Sequence, residues 1–209
     1  MLAKYDELIQ SVFLEMFGDP ALNPKKWEEK ELGEIINFRG GSQPAKKFFE
    51  YEKTDNNVRL VQIRDFKTDD YVTYIPKEMA KRHFEKDDVM IARYGPPVFQ
   101  ILRGLSGSYN VALMKAEPKV EEIKKSFIFY LLQSDRLHKT VVANSGRTAG
   151  QSGVNLKLLN KYPAYLPSLK VQEEFEKVER KVLQEKCQLE EELEKSEELF
   201  SSLVQGVFG

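Results

Sequence analysis

The side chains in this sequence that could do chemistry are mostly arginines and amides beside glycines. Arg39-Gly40-Gly41-Ser42 follows a short apolar run, and Arg59, Gln62, Arg64, Arg93 and Arg103 sit within or at the ends of others. A second glycine-rich stretch, Gly146 to Gly153, holds Arg147, Gln151 and Ser152, with Asn144 and Asn155 on either side. Small residues let a backbone approach a phosphate closely, and their N–H groups can cradle it. Arginine is the usual bidentate partner of guanine, and Gln or Asn of adenine. Each such residue taken alone is more often solvated or ion-paired, but as a set they suit a polyanion.

Catalytic patterns are missing by comparison. There is no phosphate-binding loop of the ATPase kind. His83 and His138 are the only histidines and Cys187 the only cysteine, at no zinc-binding spacing. Gly95-Pro96-Pro97-Val98 resembles the Asn/Asp-Pro-Pro-aromatic loop of amino methyltransferases. It lacks both the polar side chain that would bond the target amine and the aromatic that would stack on the flipped base, and it reads as a turn. Glu122-Ile123-Lys124 matches half of a nuclease metal site without the other half, and in a chain that is 31% charged such triplets arise by chance. No catalytic residue or metal site is expected.

Charge is unevenly distributed. The chain has a net charge of −1, but residues 173–198 carry 11 acidic and 5 basic groups while residues 20–172 carry 26 basic and 18 acidic. A basic globule on an acidic extension makes nucleic acid the first candidate partner for the globule. One cysteine permits no disulfide within the chain and suits a reducing compartment. The N-terminal residues Lys4, Asp6 and Glu7 do not fit a signal peptide, and no apolar run approaches the ~18 residues of a membrane span. The expectation is a cytoplasmic protein with no membrane partner.

The elements that would hold these residues are mainly strands. Strands are expected at 34–38, 58–64, 71–75, 88–92, 99–102, 109–115 and 162–166. Helices are expected at 4–17, 77–83 and 120–137, with a mobile glycine-rich loop over 141–153 and Asn155 capping a short helix to Leu159. A Pro/Asn/Lys linker follows Gly18, and Trp27 is expected to anchor it. The chain then ends in a rod. From Val171 to Phe208 no Pro or Gly intervenes before Gly206, and Phe175, Val178, Val182, Leu189, Leu193, Phe200 and Leu203 form a narrow apolar stripe. About 37 residues make a helix of roughly 55 Å, and so narrow a stripe needs another helix to cover it. The start of the chain repeats the end of this rod. Residues 4–18 align with 195–209 at an offset of 191, with six of fifteen positions identical, as in one unit of a tandem array.

In order and spacing the chain resembles the DNA specificity subunit of type I restriction–modification enzymes. The resemblance rests on Phe17-Gly18-Asp19-Pro20, Asn23-Pro24-Lys25-Lys26-Trp27, Leu32-Gly33-Glu34-Ile35, Gly40-Gly41 with Pro44, and Leu60-Val61-Gln62-Ile63-Arg64-Asp65. It continues through Lys86-Asp87-Asp88-Val89-Met90-Ile91-Ala92, Gly153-Val154-Asn155 and Leu166-Pro167-Ser168-Leu169 followed by Gln172. It implies an α+β fold, with one mixed, mainly β target-recognition domain and a long C-terminal helix forming an antiparallel coiled-coil spacer. The implied divisions are 1–18 (spacer-region helix), 19–30 (linker), 31–169 (recognition domain) and 170–209 (spacer helix). Such subunits are not enzymes, and because the methyl donor binds the methyltransferase the resemblance implies no cofactor here. They read a split duplex DNA site, dock adenine methyltransferase (modification) subunits and, for cleavage, a motor-nuclease (restriction) subunit. This chain has one recognition domain where the family has two, so a half-length subunit or a fragment is expected, a half-subunit pairing as a homodimer. The candidate DNA-binding residues are Arg39, Gly40, Gly41, Ser42, Arg59, Gln62, Arg64, Arg93, Arg147, Gln151, Ser152 and Asn155. The rival reading is a coiled-coil scaffold whose globule binds protein.

Overall fold

The computed structural model describes residues 2–20, 22–95, 98–148 and 151–208, with the backbone alone at 146–148, 151, 152, 199 and 204–208. Helix α1 (Ala3–Phe17) comes first, followed by β1 (Glu28–Glu31), a single helical turn α2 (Leu32–Ile35) and β2 (Ile36–Gly40). Strands β3 (Asn57–Val61), β4 (Tyr74–Pro76), β5 (His83–Phe84), β6 (Val89–Ala92), β7 (Ile101–Leu102), β8 (Gly107–Tyr109) and β9 (Leu113–Pro118) come next. Then come α3 (Lys125–Leu132), α4 (Asp135–Ala143), the hairpin strands β10 (Gly146–Thr148) and β11 (Gln151–Gly153), α5 (Leu156–Asn160), β12 (Pro163–Leu166) and α6 (Leu169–Phe208).

Two four-stranded sheets make up most of the β structure among the described residues. One has the order β2-β9-β6-β7 and is antiparallel throughout; the other has the order β4-β3-β8-β5 and includes the parallel pair β3–β8. Strand β6 lies between two apolar clusters. Val89 and Ile91 join the main core with Met114 and Phe127, while Met90 joins a smaller one with Val61, Phe84 and Tyr109. Burial on both faces is why its sequence is a continuous apolar run rather than an alternation.

Helix α1 ends where Gly18, at φ 81°, donates its N–H to Leu14 O at 2.8 Å. That left-handed conformation favours glycine. Its buried residues Ile9, Phe13 and Phe17 recur every four positions and face α3 and α6. Phe13, Phe17, Phe127, Tyr130 and Phe175 interlock, with ring centroids 4.8–5.6 Å apart. Trp27 donates from Nε1 to Phe17 O at 2.9 Å, so it ties the linker to the end of α1.

Several expected elements are rearranged. The end of the linker is strand β1, which pairs with β12 although its sequence, Glu-Glu-Lys-Glu, has no strand pattern. Residues 34–38 divide between a helical turn and β2 because Glu31 and Glu34 form a reciprocal capping box. The expected helix over 77–83 is a single 3-10 turn followed by β5, and the strand expected to reach residue 64 ends at Val61, before a turn capped by Gln62 and Asp65. The single strand expected over 109–115 is broken by a turn in which Asn110 Oδ1 accepts from Ala112 N. The helix expected over 120–137 begins at Lys125, breaks at Gln133 and resumes as α4. The stretch expected as a mobile loop contains the end of α4 and the β10–β11 hairpin. The expected turn at 95–97 lies partly outside the described residues.

The rod is as long as expected. Helix α6 has 40 residues, about 60 Å, and its first turns are built into the globule. Gln172 is fully buried; its Oε1 accepts from Lys124 N, and its Nε2 donates to Glu122 O and Pro167 O. Helix α1 lies antiparallel against α6, from Phe17 beside Phe175 to Asp6 beside Lys186. Past that overlap, every described side chain from Glu190 to Leu203 is exposed.

Candidate nucleic-acid interface

Four segments meet around the Asn110–Ala112 turn. β2 and β6 leave the first sheet at the end where β9 enters it, since Gly40 pairs with Met114 and Ala92 with Leu113. Arg39-Gly40-Gly41-Ser42 and Arg93-Tyr94-Gly95 are therefore neighbours. Gly41 N donates to Leu113 O at 3.0 Å, Ser42 N to Tyr109 O at 3.0 Å and Arg93 N to Ala112 O at 2.8 Å. A Cβ on Gly41 would lie 2.0 Å from Asn110 O, a backbone atom that cannot swing away, so only glycine fits there. The hairpin joins through Gly153, which bridges to Tyr94, while Val154 N donates to Arg93 O at 3.1 Å. The fourth segment starts after Val61, whose carbonyl accepts from Asn110 N at 3.2 Å; this brings Gln62 and Arg64 alongside.

The cations of this face are held in different ways. The Arg93 guanidinium lies over the Tyr94 ring at 5.0 Å, and a Cβ on Gly40 would lie 3.1 Å from its Nη1. Arg39 is half exposed, pairs with Glu117 at 3.3 Å, and has its carbonyl fixed by the Tyr109 hydroxyl at 3.2 Å. Burial pushes that phenol up to about 12, so it stays a donor. Arg59 is mostly covered and bonds Asp69 at 2.7 Å; it also faces Asp65 at 3.8 Å. Arg64 is half exposed and lies over Tyr71 at 5.2 Å. Asp65 is buried between the two arginines and accepts from Gln62 N at 3.0 Å. Burial raises its carboxyl above the ordinary range, and Gln62 N–H, Arg59 and Arg64 offset part of that rise. Arg39, Arg59 and Arg64 thus each lie beside an acid, whereas Arg93 lies over Tyr94 next to the glycine edge.

The remaining candidates divide. Arg147 faces Ser152 across the hairpin, and Thr148 faces Gln151; these side chains lie outside the described residues. Asn155 caps α5, its Oδ1 accepting from Lys157 N and Leu158 N. Arg103 is not part of this face: its Nη1 meets Glu179 Oε1 at 2.6 Å on α6. Tyr94, Asn110 and Tyr71 belong to the face, but no sequence signal marks them out except their position beside Gly95, at a strand break and near Arg64. Among the described residues no three His, Cys, Asp or Glu side chains converge as metal ligands. No helix among them is long and apolar enough to cross a membrane.

Of the apolar stripe on α6, Phe175 and Val182 are buried within the chain. Leu189 is partly covered, and Val178, Leu193, Phe200 and Leu203 are exposed.

Residues 24–196 match the family described as the type I restriction modification DNA specificity domain. The chain belongs to this family. Solved structures agree with that assignment at the level of fold. A structure from work on complex assembly and conformational transition of the type I R-M system has 18% identity and a TM-score of 0.67; the match covers 98% of this chain and 50% of that one. The HsdS subunit from Thermoanaerobacter tengcongensis has 19% identity and a TM-score of 0.61, covering 91% and 46%. The type I restriction-modification S subunit from M. genitalium has 19% identity and a TM-score of 0.60, covering 100% and 53%. This specificity domain therefore spans about half the length of the subunits it matches. It is a domain of the specificity family, an α+β globule with a long C-terminal helical extension.

Proposed function

We propose that this specificity domain reads one half of a bipartite duplex DNA target. In this reading it docks adenine methyltransferase subunits, serves a motor-nuclease subunit in cleavage, and as a half-length subunit pairs with a second copy through α6. The observation that carries the reading is the convergence of Arg39–Ser42, Gln62–Arg64, Arg93–Gly95 and the β10–β11 hairpin around Asn110. The Gly41 and Ser42 N–H groups are held by Leu113 O and Tyr109 O, so the glycine edge contributes close approach of a backbone without bulky side chains, and arginines at its rim supply charge and base contacts. Two-fold pairing would present two inverted half-sites, and a rod of about 60 Å corresponds to ~18 base pairs of spacing.

The test is a titration with duplex DNA at fixed salt. Arg93→Ala and Arg147→Ala are expected to weaken binding about tenfold or more and to lower the salt slope by about one unit each. Glu191→Ala, on the exposed rod, is expected to leave binding unchanged. Equal losses in all three would remove the glycine edge from the site. No duplex affinity in the parent protein at moderate salt would favour the protein-binding scaffold.

A further inference from the structure

The Asn110–Ala112 turn stands where the two four-stranded sheets end together. It joins β8 to β9, and the chain leaves β2, β3 and β6 beside it. Its polar groups hold it in place. Asn110 N donates to Val61 O at 3.2 Å, Asn110 Oδ1 accepts from Ala112 N, and Asn110 O accepts from Leu113 N at 3.1 Å. Ala112 O accepts from Arg93 N. Asn110 is buried and Ala112 half-buried, so the one exposed side chain of the turn is Val111, at 41%. Gly41 keeps the flank of the turn clear, since a Cβ there would collide with the Asn110 carbonyl. A β-branched side chain on so fixed a backbone is stiff about χ1, and ordering it on contact costs little entropy.

A lone valine on an ordinary surface needs no explanation. Val111 differs in its surroundings. The segments hydrogen-bonded to its turn carry Ser42, Gln62 and Arg93, whose side chains suit phosphates and base edges. An apolar side chain among them has no hydrogen bond to offer. On the major-groove edges of the four bases the one apolar group of matching size is the C5-methyl group of thymine. We propose that Val111 is a specificity-determining residue that packs on a thymine methyl group and so demands an A·T pair at one position of the half-site. The proposal deepens the DNA reading above and rests on it. The polar residues around the turn fix register and read neighbouring pairs, whereas Val111 reads by shape and desolvation. A cytosine at that position removes the methyl and sets an amine donor against a side chain that cannot accept from it.

The test uses the full chain. The parent protein selects its half-site from a random duplex library. Each thymine of the selected duplex is then replaced singly by deoxyuridine, which pairs alike but lacks the methyl, and affinities are read by fluorescence anisotropy at fixed salt. At one position the replacement is expected to weaken parent binding about threefold to fivefold, as burial of a single methyl group implies. Val111→Ala should bind the thymine duplex about as weakly as the parent binds the deoxyuridine one, and should lose nothing more on replacement at that position. Its melting temperature should match the parent's, because the side chain is exposed. A purely structural Val111 would instead weaken every duplex alike and leave the deoxyuridine penalty intact. The proposal is overturned by a parent that binds its selected duplex with no penalty at any thymine, or by a Val111→Ala variant that keeps the full penalty. Either result leaves the DNA reading standing; only the absence of duplex binding by the parent removes both.

Discussion

Arg103 joins the globule to the rod, and its replacement should be costly in a specific way. Its Nη1 lies 2.6 Å from Glu179 Oε1, its Nη2 donates to the Tyr130 hydroxyl at 3.1 Å, and its guanidinium stacks 3.9 Å from the Phe129 ring centre. The Glu179 side chain is only 6% exposed and that of Arg103 22%. Arg103→Met keeps most of the aliphatic stem over Phe129 and removes the charge. The Glu179 carboxylate is then buried without its partner, which costs about 3–5 kcal/mol. The residual exposure of Arg103 favours the lower figure. At 2–4 °C per kcal/mol for a chain of this size, the melting temperature should fall by roughly 6–12 °C. The double variant Arg103→Met, Glu179→Leu removes both charges from the same space and should recover most of the loss. Urea unfolding checks this through the midpoint, with the slope unchanged. A single-variant loss under about 1 kcal/mol, or a double variant no more stable than the single, would show that the pair does not carry its charge in a buried environment.

Three further outcomes are expected. Gly41→Ala should destabilise the domain by about 3 kcal/mol, because its Cβ meets backbone at Asn110; Gly40→Ala should leave the melting temperature nearly unchanged yet weaken DNA binding, since its Cβ displaces only the tip of Arg93. Asp88 is buried, and though burial alone would raise its carboxyl, the hydrogen bond from Lys125, the Glu85 N–H and Lys115 hold it below the ordinary range. A depressed carboxylate stabilises the fold above its unfolded pKa and loses that contribution as pH falls through the folded one. Asp88→Asn should therefore cost about 2 kcal/mol near neutral pH, with the gap from the parent closing below pH ~4 in urea titrations at several pH values.

Much of the molecule was legible in the chain because the signals are local. The 3.6-residue period and the lack of breakers determined a helix over nearly all of α6, and Gly18 with Pro20 marked the end of α1. Asn155 announced the start of α5, and the order of short motifs pointed to the specificity family. Periodicity reports which residues are apolar but not what covers them. Phe175 and Val182 look like the rest of the rod's stripe, yet α1 and α3 bury them, while Leu193 and Phe200 remain outside. Arg103 looks like any loop arginine until Glu179, 76 positions away, is beside it. Strand β1 has no pattern at all and exists only because β12 offers it an edge.

The sequence by itself determined the kinds of element, the division of charge between globule and rod, the repeat at offset 191, and the glycines and arginines available for a polyanion. Only the tertiary structure decided which of those arginines stand together. Gly40, Arg93 and Gly153 come from three separate stretches of chain and meet through β2–β9–β6 pairing and the Tyr94–Gly153 bridge. Strand pairing is a contact between residues far apart in sequence, so no local pattern encodes it.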